Sequence, residues 1–274
     1  MKAKSVLGLL PALAVGLALT SGAQAAAVRT FVSSAGNDGN AGANCPRLSP
    51  CRNFAAAYAV TLAGGEVVAL DAAGYGTLTI SGGVTLVGVE GALISVPTGT
   101  AGVTVNAGSS YVELRNILIT GAGASNTTGV DLNSGRLVIR NSVLKQLSTG
   151  LDAAANTKSD VIETDVSFNG TGIRTTGTGG DGQSGTPYGP TQVRISGGGL
   201  VDNTTALFMQ DPGLRPNPAT DNLITIFLHS TDNSSAGVET NISGNATFMS
   251  GGGTGCGGQN CQNPGQYSGT TNPH

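Results

Sequence analysis

The chain contains no tryptophan, and only 4% of its 274 residues are aromatic and 11% charged. So low a charge excludes a disordered polyelectrolyte, which repels itself and stays extended. Apolar residues make up 39% of the chain, and they fall in short runs rather than at the spacing of about 3.6 residues that an amphipathic helix shows. A helical bundle is therefore excluded as well. The 44 glycines indicate many turns, and we expect one β-rich domain.

Long apolar runs are confined to the first 25 residues. Lys2 and Lys4 precede the apolar run 6–19, and Ala23-Gln24-Ala25 forms the small-x-small pattern that a signal peptidase accepts. We therefore interpret residues 1–25 as a cleaved signal peptide and expect a secreted or periplasmic protein. No later run reaches the roughly 18 apolar residues of a membrane-spanning helix, so we predict no membrane span.

Basic residues are too few to favour a nucleic-acid partner. Lys2 and Lys4 belong to the leader, so 11 of the 13 basic residues remain against 16 acidic ones. Proteins that bind nucleic acid through phosphate contacts need Lys and Arg at the interface. We expect no nucleic acid among the partners.

The four cysteines form two close pairs. Cys45 and Cys51 enclose PRLSP, and Cys256 and Cys261 enclose GGQN. Each pair can close a small loop, and an exported protein meets an oxidising compartment, so we predict two local disulfides. A zinc site built from all four cysteines is the alternative. It is disfavoured because neither spacing is CxxC and the pairs lie over 200 residues apart.

The main pattern is a four-residue unit, Gly-aliphatic-x-apolar, that recurs at steps of 21 to 34 residues. A second short strand pattern follows most copies, as in LVIRNSVL from Leu137. Repeats made of strands without helices are typical of a solenoid, and a parallel β-helix would stack the copies in register. The units begin at Gly102, Gly129, Gly150, Gly172, Ala206 and Gly237, and the predicted buried column is Val103, Val130, Leu151, Ile173, Leu207 and Val238.

Glycine and asparagine are predicted to mark the corners of each coil. We interpret the glycine of each repeat as the place where the chain turns. Asn116 and Asn141 occupy matching places in the second strand, two residues after Leu114 and Ile139. Asparagine tolerates left-handed backbone and can hydrogen-bond to a stacked twin, so both residues suit a stacked corner.

The segment from Cys51 to Gly65 is the one convincing helix in the sequence, and we expect it to cap the first coil. The chain is accordingly divided into four parts. Residues 1–25 are the signal peptide, 26–65 the N-terminal strand, disulfide loop and capping helix, 66–250 the parallel β-helix, and 251–274 a flexible tail rich in Gly and Asn.

A strand, a Gly-Asn-Asp-Gly turn, paired cysteines, a helix, a Gly-Gly stop and Gly74-Tyr75-Gly76 follow one another between Arg29 and Ile80. This segment resembles the entry segment of small secreted bacterial proteins of the pectin-lyase-like superfamily. The resemblance implies an all-β fold, a single-stranded right-handed parallel β-helix. It implies no single activity, because one fold hosts many chemistries. The motifs of polygalacturonase-like members are missing, and Arg194-Ile195-Ser196 lacks the lysine of their Arg-Ile-Lys motif.

Charged residues recur at the outward position of the repeat. That position reads Thr104, Asp131, Asp152, Arg174, Phe208 and Glu239 along successive copies. In register, Asp131 would neighbour Asp152, and Arg174 would follow one coil on. The functional interpretation is a carboxylate pair that binds a saccharide or a cation such as calcium, with Arg174 as an anion clamp or base. The alternative is a solvated face with an ordinary Asp-Arg pair.

Two other sets of side chains are candidates for a role. Insertions at 177–190 and 211–222 follow the same strand and could raise a lip beside the outward row, which makes Asp181, Tyr188 and Arg215 candidates for ligand contact. The other interpretation of these insertions is surface loops without a role. Arg115 and Arg140 are predicted to stack outward beside Glu113 and Glu163, as a salt-bridged ladder that holds register.

We expect an exported, non-catalytic β-helix protein that acts as a structural or glycan-binding module at the cell surface or in the matrix. The alternative is a polysaccharide lyase, or a related carbohydrate-active enzyme, that acts on an acidic glycan. It would use Asp131 and Asp152 for calcium and Arg174 as the base. A polysaccharide or cell-surface glycan is the expected partner in either case.

Overall fold

The computed structural model describes residues 25–176, 191–210 and 223–229. All the strands in these ranges belong to one sheet, every pairing in it is parallel, and the sheet curls through 240°. The all-β, parallel prediction is thereby confirmed. The elements are β1 (Ala27–Val32), a 3-10 helix (Asp38–Ala43), α1 (Phe54–Ala59), β2 (Thr61–Ala69), β3 (Leu78–Ile80), β4 (Val84–Val87), β5 (Leu93–Ser95), β6 (Ala101–Arg115), β7 (Leu118–Thr120), β8 (Thr128–Arg140), β9 (Val143–Lys145), β10 (Thr149–Ala154), β11 (Lys158–Ser167), β12 (Thr171–Thr176), β13 (Gln192–Val201), β14 (Thr205–Gln210) and β15 (Leu223–His229).

The aliphatic column of the repeat is buried in the predicted register. Each member is the Cα partner of the next on the neighbouring strand, from β6 through β8, β10 and β12 to β14. None is more than 2% exposed. The column is therefore confirmed where the structure describes it, and Val238 lies outside the described residues. The described members are Val103, Val130, Leu151, Ile173 and Leu207.

The predicted asparagine corners are also confirmed. Asn116 and Asn141 have φ of 56° and 49°, in the left-handed region that asparagine tolerates. Their backbone N–H groups donate to the strand below, to Arg140 O at 3.0 Å and to Ile162 O at 3.0 Å. Hydrogen bonding between stacked asparagine twins occurs elsewhere: Asn169 Nδ2 donates to Asn203 Oδ1 at 2.9 Å inside the fold. The amide of Asn116 instead donates to Gly88 O at 3.2 Å.

The interpretation of the repeat glycines as turn residues is wrong. Gly102, Gly129, Gly150 and Gly172 lie inside strands, and none has a left-handed φ. Each instead lies against the backbone of the next strand. A Cβ added at Gly129 would stand 2.5 Å from Gly150 O, and one at Gly150 would stand 2.5 Å from Gly172 O. Close approach between strands therefore selects glycine here.

The helix at the N-terminal end is shorter than predicted. It covers Phe54–Ala59 rather than 51–65, and the chain from Thr61 onward already belongs to β2. The helix ends because Thr61 becomes the pairing partner of Ala27 in β1. Phe54 and Ala57 are buried against the first strands, and the Phe54 ring centroid lies 4.9 Å from that of Tyr75.

The Cys45–Cys51 disulfide is confirmed, with 5.1 Å between the Cα atoms. Its loop covers the outer edge of β1. Phe31 N donates to Cys45 O at 2.9 Å, and Cys51 N donates to Phe31 O at 2.9 Å. Because an uncovered edge strand presents unpaired N–H and C=O groups, this loop protects the start of the sheet.

A carboxylate network fixes the turn after β2. Asp71 accepts hydrogen bonds from Ser33 Oγ at 3.0 Å, from Ser34 N at 2.9 Å and Oγ at 2.5 Å, and from the Tyr75 hydroxyl. Chiefly the Ser34 side chain, and then Tyr75, lower the pKa of Asp71 to about 2. The network joins β1 to the segment that leads into β3.

The two ends of the chain lie outside the described ranges. Residues 1–24 and 251–274, assigned to the signal peptide and the tail, belong to these ends. No helix in the described part of the chain is long and apolar enough to cross a membrane.

Candidate functional site

The outward charged residues of the repeat stand in one row, as the register predicts. Thr104 pairs with Asp131, Asp131 with Asp152, Asp152 with Arg174, and Arg174 with Phe208. We call these five residues the carboxylate row. They lie on β6, β8, β10, β12 and β14, so neighbouring Cα atoms are about one strand spacing, roughly 4.8 Å, apart. Glu239 lies outside the described residues.

Arg174 and Asp152 form an ion pair inside the row. Arg174 Nη2 donates to Asp152 Oδ2, with the two side chains 37% and 14% exposed. This hydrogen bond raises the pKa of Arg174 above its ordinary value. Within the described residues, the buried Nε of Arg174 has no hydrogen-bond partner.

Asp131 has a different environment from Asp152. Its carboxylate accepts a hydrogen bond from Asn133 Nδ2, at 3.1 Å. Burial raises the pKa of Asp131, and the charge of Asp152 adds to the effect, whereas Asn133 and Arg174 oppose it. In the carboxylate row, the charge of Asp152 is therefore neutralised by Arg174, whereas Asp131 is hydrogen-bonded by the amide of Asn133.

These carboxylates do not fit a calcium ion. Calcium takes six to eight oxygen ligands, and the described part of the chain contains no group of three or more His, Cys, Asp or Glu placed to hold a metal. Asp152 also already contacts the guanidinium of Arg174. We therefore derive no role for calcium.

Several residues predicted for the site fall outside the described ranges. They are the loop candidates and the second cysteine pair, and the predictions about them remain predictions. These residues are Asp181, Tyr188, Arg215, Cys256 and Cys261.

A cluster of basic side chains was largely missed by sequence reasoning. It lies on the outward side of β6, β8, β11 and β13, on strand segments that follow those of the carboxylate row. Only its Arg115 and Arg140 were predicted as neighbours. The signal that could have found the rest is the basic residue at the start or middle of the second strand: Arg136, Lys158 and Arg194.

Comparisons with protein-family models, with curated proteins and with solved structures found no match. The resemblance to the pectin-lyase-like superfamily therefore rests on the segment from Arg29 to Ile80 and on the repeat. Because one fold hosts many chemistries, the residues of the site carry the evidence for function.

Proposed function

We propose that the chain is an exported right-handed parallel β-helix of the pectin-lyase-like kind that acts as a non-catalytic glycan-binding or structural module at the cell surface or in the matrix. The in-register stacking of repeats that are 21 to 34 residues long supports the solenoid. The observation that carries the glycan-binding function is the carboxylate row.

The row suits a sugar because it offers several kinds of contact on a rigid surface. Carboxylate oxygens of Asp131 and Asp152 accept hydrogen bonds from sugar hydroxyls, and the guanidinium of Arg174 donates them. Phe208, the next residue in the row, is half-buried and adds an aromatic ring. Because every member lies on a strand, the spacing of these groups is set by the sheet.

The lyase alternative is disfavoured by the state of Arg174. To act as a base, the Arg174 side chain would have to be deprotonated. The hydrogen bond that its guanidinium donates to Asp152 raises the pKa of Arg174 and so keeps the side chain protonated. Without Arg174 as a base, the row lacks the residue assigned to abstract a proton. We therefore prefer binding without turnover.

A binding titration tests the proposal. The purified protein is titrated calorimetrically with a set of neutral and acidic oligosaccharides, and compared with Asp131→Asn. The matched control is Glu90→Gln, which removes one carboxylate from the exposed turn between β4 and β5. We expect Asp131→Asn to weaken binding about tenfold through the lost charge-assisted contact, and the control to bind like the unaltered protein.

Two results would overturn the proposal. One is that no glycan binds, or that Asp131→Asn and Glu90→Gln bind with equal affinity. The other is turnover: incubation with uronic-acid polymers, followed by the absorbance of unsaturated products, would establish the lyase if Arg174→Ala abolished the signal.

A further inference from the structure

The further candidate site is the basic cluster on the outward side of β6, β8, β11 and β13. Along each of the four strands these side chains alternate with buried ones, among them Leu114, Leu137, Val161 and Val193, so they point away from the core. The cluster spans three strand spacings, roughly 14 Å, and two steps of two residues along the strands, roughly 13 Å. We call it the basic face; its cations are Arg115, Arg136, Arg140, Lys158 and Arg194.

Like charges stand directly opposite each other on this face. Arg115 is the Cα partner of Arg140, and Arg136 is the Cα partner of Lys158. Like charges placed directly opposite on neighbouring strands destabilise a sheet. Glu113, which contacts Arg115 and Arg140, and Asp160, which contacts Arg136, relieve part of this repulsion within the face. An anionic ligand would relieve the rest.

Carboxylates of the face neutralise only part of its charge. Glu113 Oε1 lies 2.9 Å from Arg115 Nη2 and 3.5 Å from Arg140 Nε, which confirms that part of the predicted ladder. Asp160 Oδ2 lies 3.1 Å from Arg136 Nη2. The basic face therefore holds five cations and two carboxylates, a surplus of three positive charges. If Glu163, at the corner that borders the face, is also counted, the surplus is two positive charges. The whole chain, by contrast, carries a net charge of -3.

We propose that the basic face binds an acidic polysaccharide. Four of its five cations are arginines, whose planar guanidinium matches a carboxylate or sulfate with two parallel hydrogen bonds. Tyr111, which is 43% exposed, is the Cα partner of Arg136 and offers a ring face beside the cations. Lys158 is exposed and adds a point charge.

Two other polyanions fit the face less well. Single-stranded nucleic acid is bound by stacking successive bases on several aromatic rings, and the described face has only Tyr111. An anionic membrane is bound by faces that also insert apolar side chains. Here Val138 is only 4% exposed and Ile162 is half-buried between charged neighbours.

The test is a charge-matched pair of double variants in the full chain. Arg136→Gln/Lys158→Gln removes two cations from the basic face, and Arg47→Gln/Lys145→Gln removes two cations from the disulfide loop and from β9. Lys158→Gln alone serves as a milder variant, in case loss of the Arg136 ion pair impairs folding. Binding is measured to polygalacturonate, neutral dextran, phosphatidylglycerol vesicles and single-stranded DNA at two salt concentrations.

We expect polygalacturonate to bind, more weakly at higher salt, and the face variant to lose about tenfold in affinity. The control should stay within about twofold. Equal losses in both double variants, tighter binding to vesicles or DNA, or binding of dextran alone would each overturn the inference. Because the basic face lies on different strand segments from the carboxylate row, the two proposals can fail separately. If Asp131→Asn weakened binding and the face variant did not, the carboxylate row would be supported as the binding site and the basic face would be ruled out.

Discussion

Replacing Gly129 by alanine tests why glycine begins each repeat. The new methyl carbon would lie 2.5 Å from Gly150 O and 2.8 Å from Leu147 Cδ1, whereas ordinary contacts of a Cβ atom are 3.4–4 Å. The leucine can rotate, but the oxygen belongs to the backbone of β10. Relieving the contact therefore requires the two paired strands to move apart.

The expected loss follows from two opposing terms. Overpacking a rigid site costs about 1 to 3 kcal/mol. Alanine also restricts the unfolded chain, which stabilises the protein by about 0.4 to 1 kcal/mol where the native φ suits it, and Gly129 does not have a left-handed φ. Because the clash is with backbone, we expect the steric term to win, for a net loss of about 1 to 2 kcal/mol and a fall in Tm of about 2 to 8 °C.

Thermal unfolding followed by circular dichroism measures this loss. Gly42→Ala is the control, because an added Cβ there meets no atom within 4 Å and its φ is also not left-handed. Its Tm should be unchanged or slightly raised. If Gly129→Ala melted at the same temperature as Gly42→Ala, close approach between strands would not be the reason for the glycine.

Two further predictions concern buried and titrating groups. The Thr175 hydroxyl is buried without a hydrogen-bond partner among the described residues. Thr175→Val keeps the shape of the side chain and removes the polar group, so it should raise the free energy of unfolding, measured by urea titration, by about 1 kcal/mol. A loss of stability would show that the hydroxyl does have a hydrogen-bond partner. The pKa of Asp71 is lowered from 3.8 to about 2, so its stabilising contribution is complete above about pH 4 and is lost as the pH falls towards 2. The difference in stability between the unaltered protein and Asp71→Asn should therefore shrink between pH 5 and pH 2, and a difference that stayed constant would contradict the assigned network.

The register of the sheet could be predicted because burial specifies it. A shift of one residue would move Val103, Val130 and Leu151 from the core to solvent, so the two-residue alternation excludes shifts by an odd number of residues. The glycine that begins each unit marks which of the remaining alignments is correct. The same alignment is enough to predict that Asp131, Asp152 and Arg174 share one row. The ion pair inside the row, and the different environment of Asp131, depend on side-chain geometry that no alternation pattern contains.

Other features depend on pairings between distant segments. The helix predicted to reach Gly65 ends at Ala59, because Thr61 pairs with Ala27 and this strand pairing outweighs the local helix propensity. The basic face was hidden because the pairing of β6 with β8 is irregular between Asn106 and Tyr111. Counting residues from the first strand of a repeat therefore does not predict which residues of the second strands face each other.

The loop closed by Cys45 and Cys51 gives the molecule a fixed beginning. A stack of similar parallel strands has no inherent length, because the unpaired edge of the last strand can always pair with a further strand. On the N-terminal side, hydrogen bonds between the loop and Phe31 cover this edge. We therefore expect chemical reduction of the Cys45–Cys51 disulfide to loosen this loop and to expose the edge of β1 to strands from another copy of the chain.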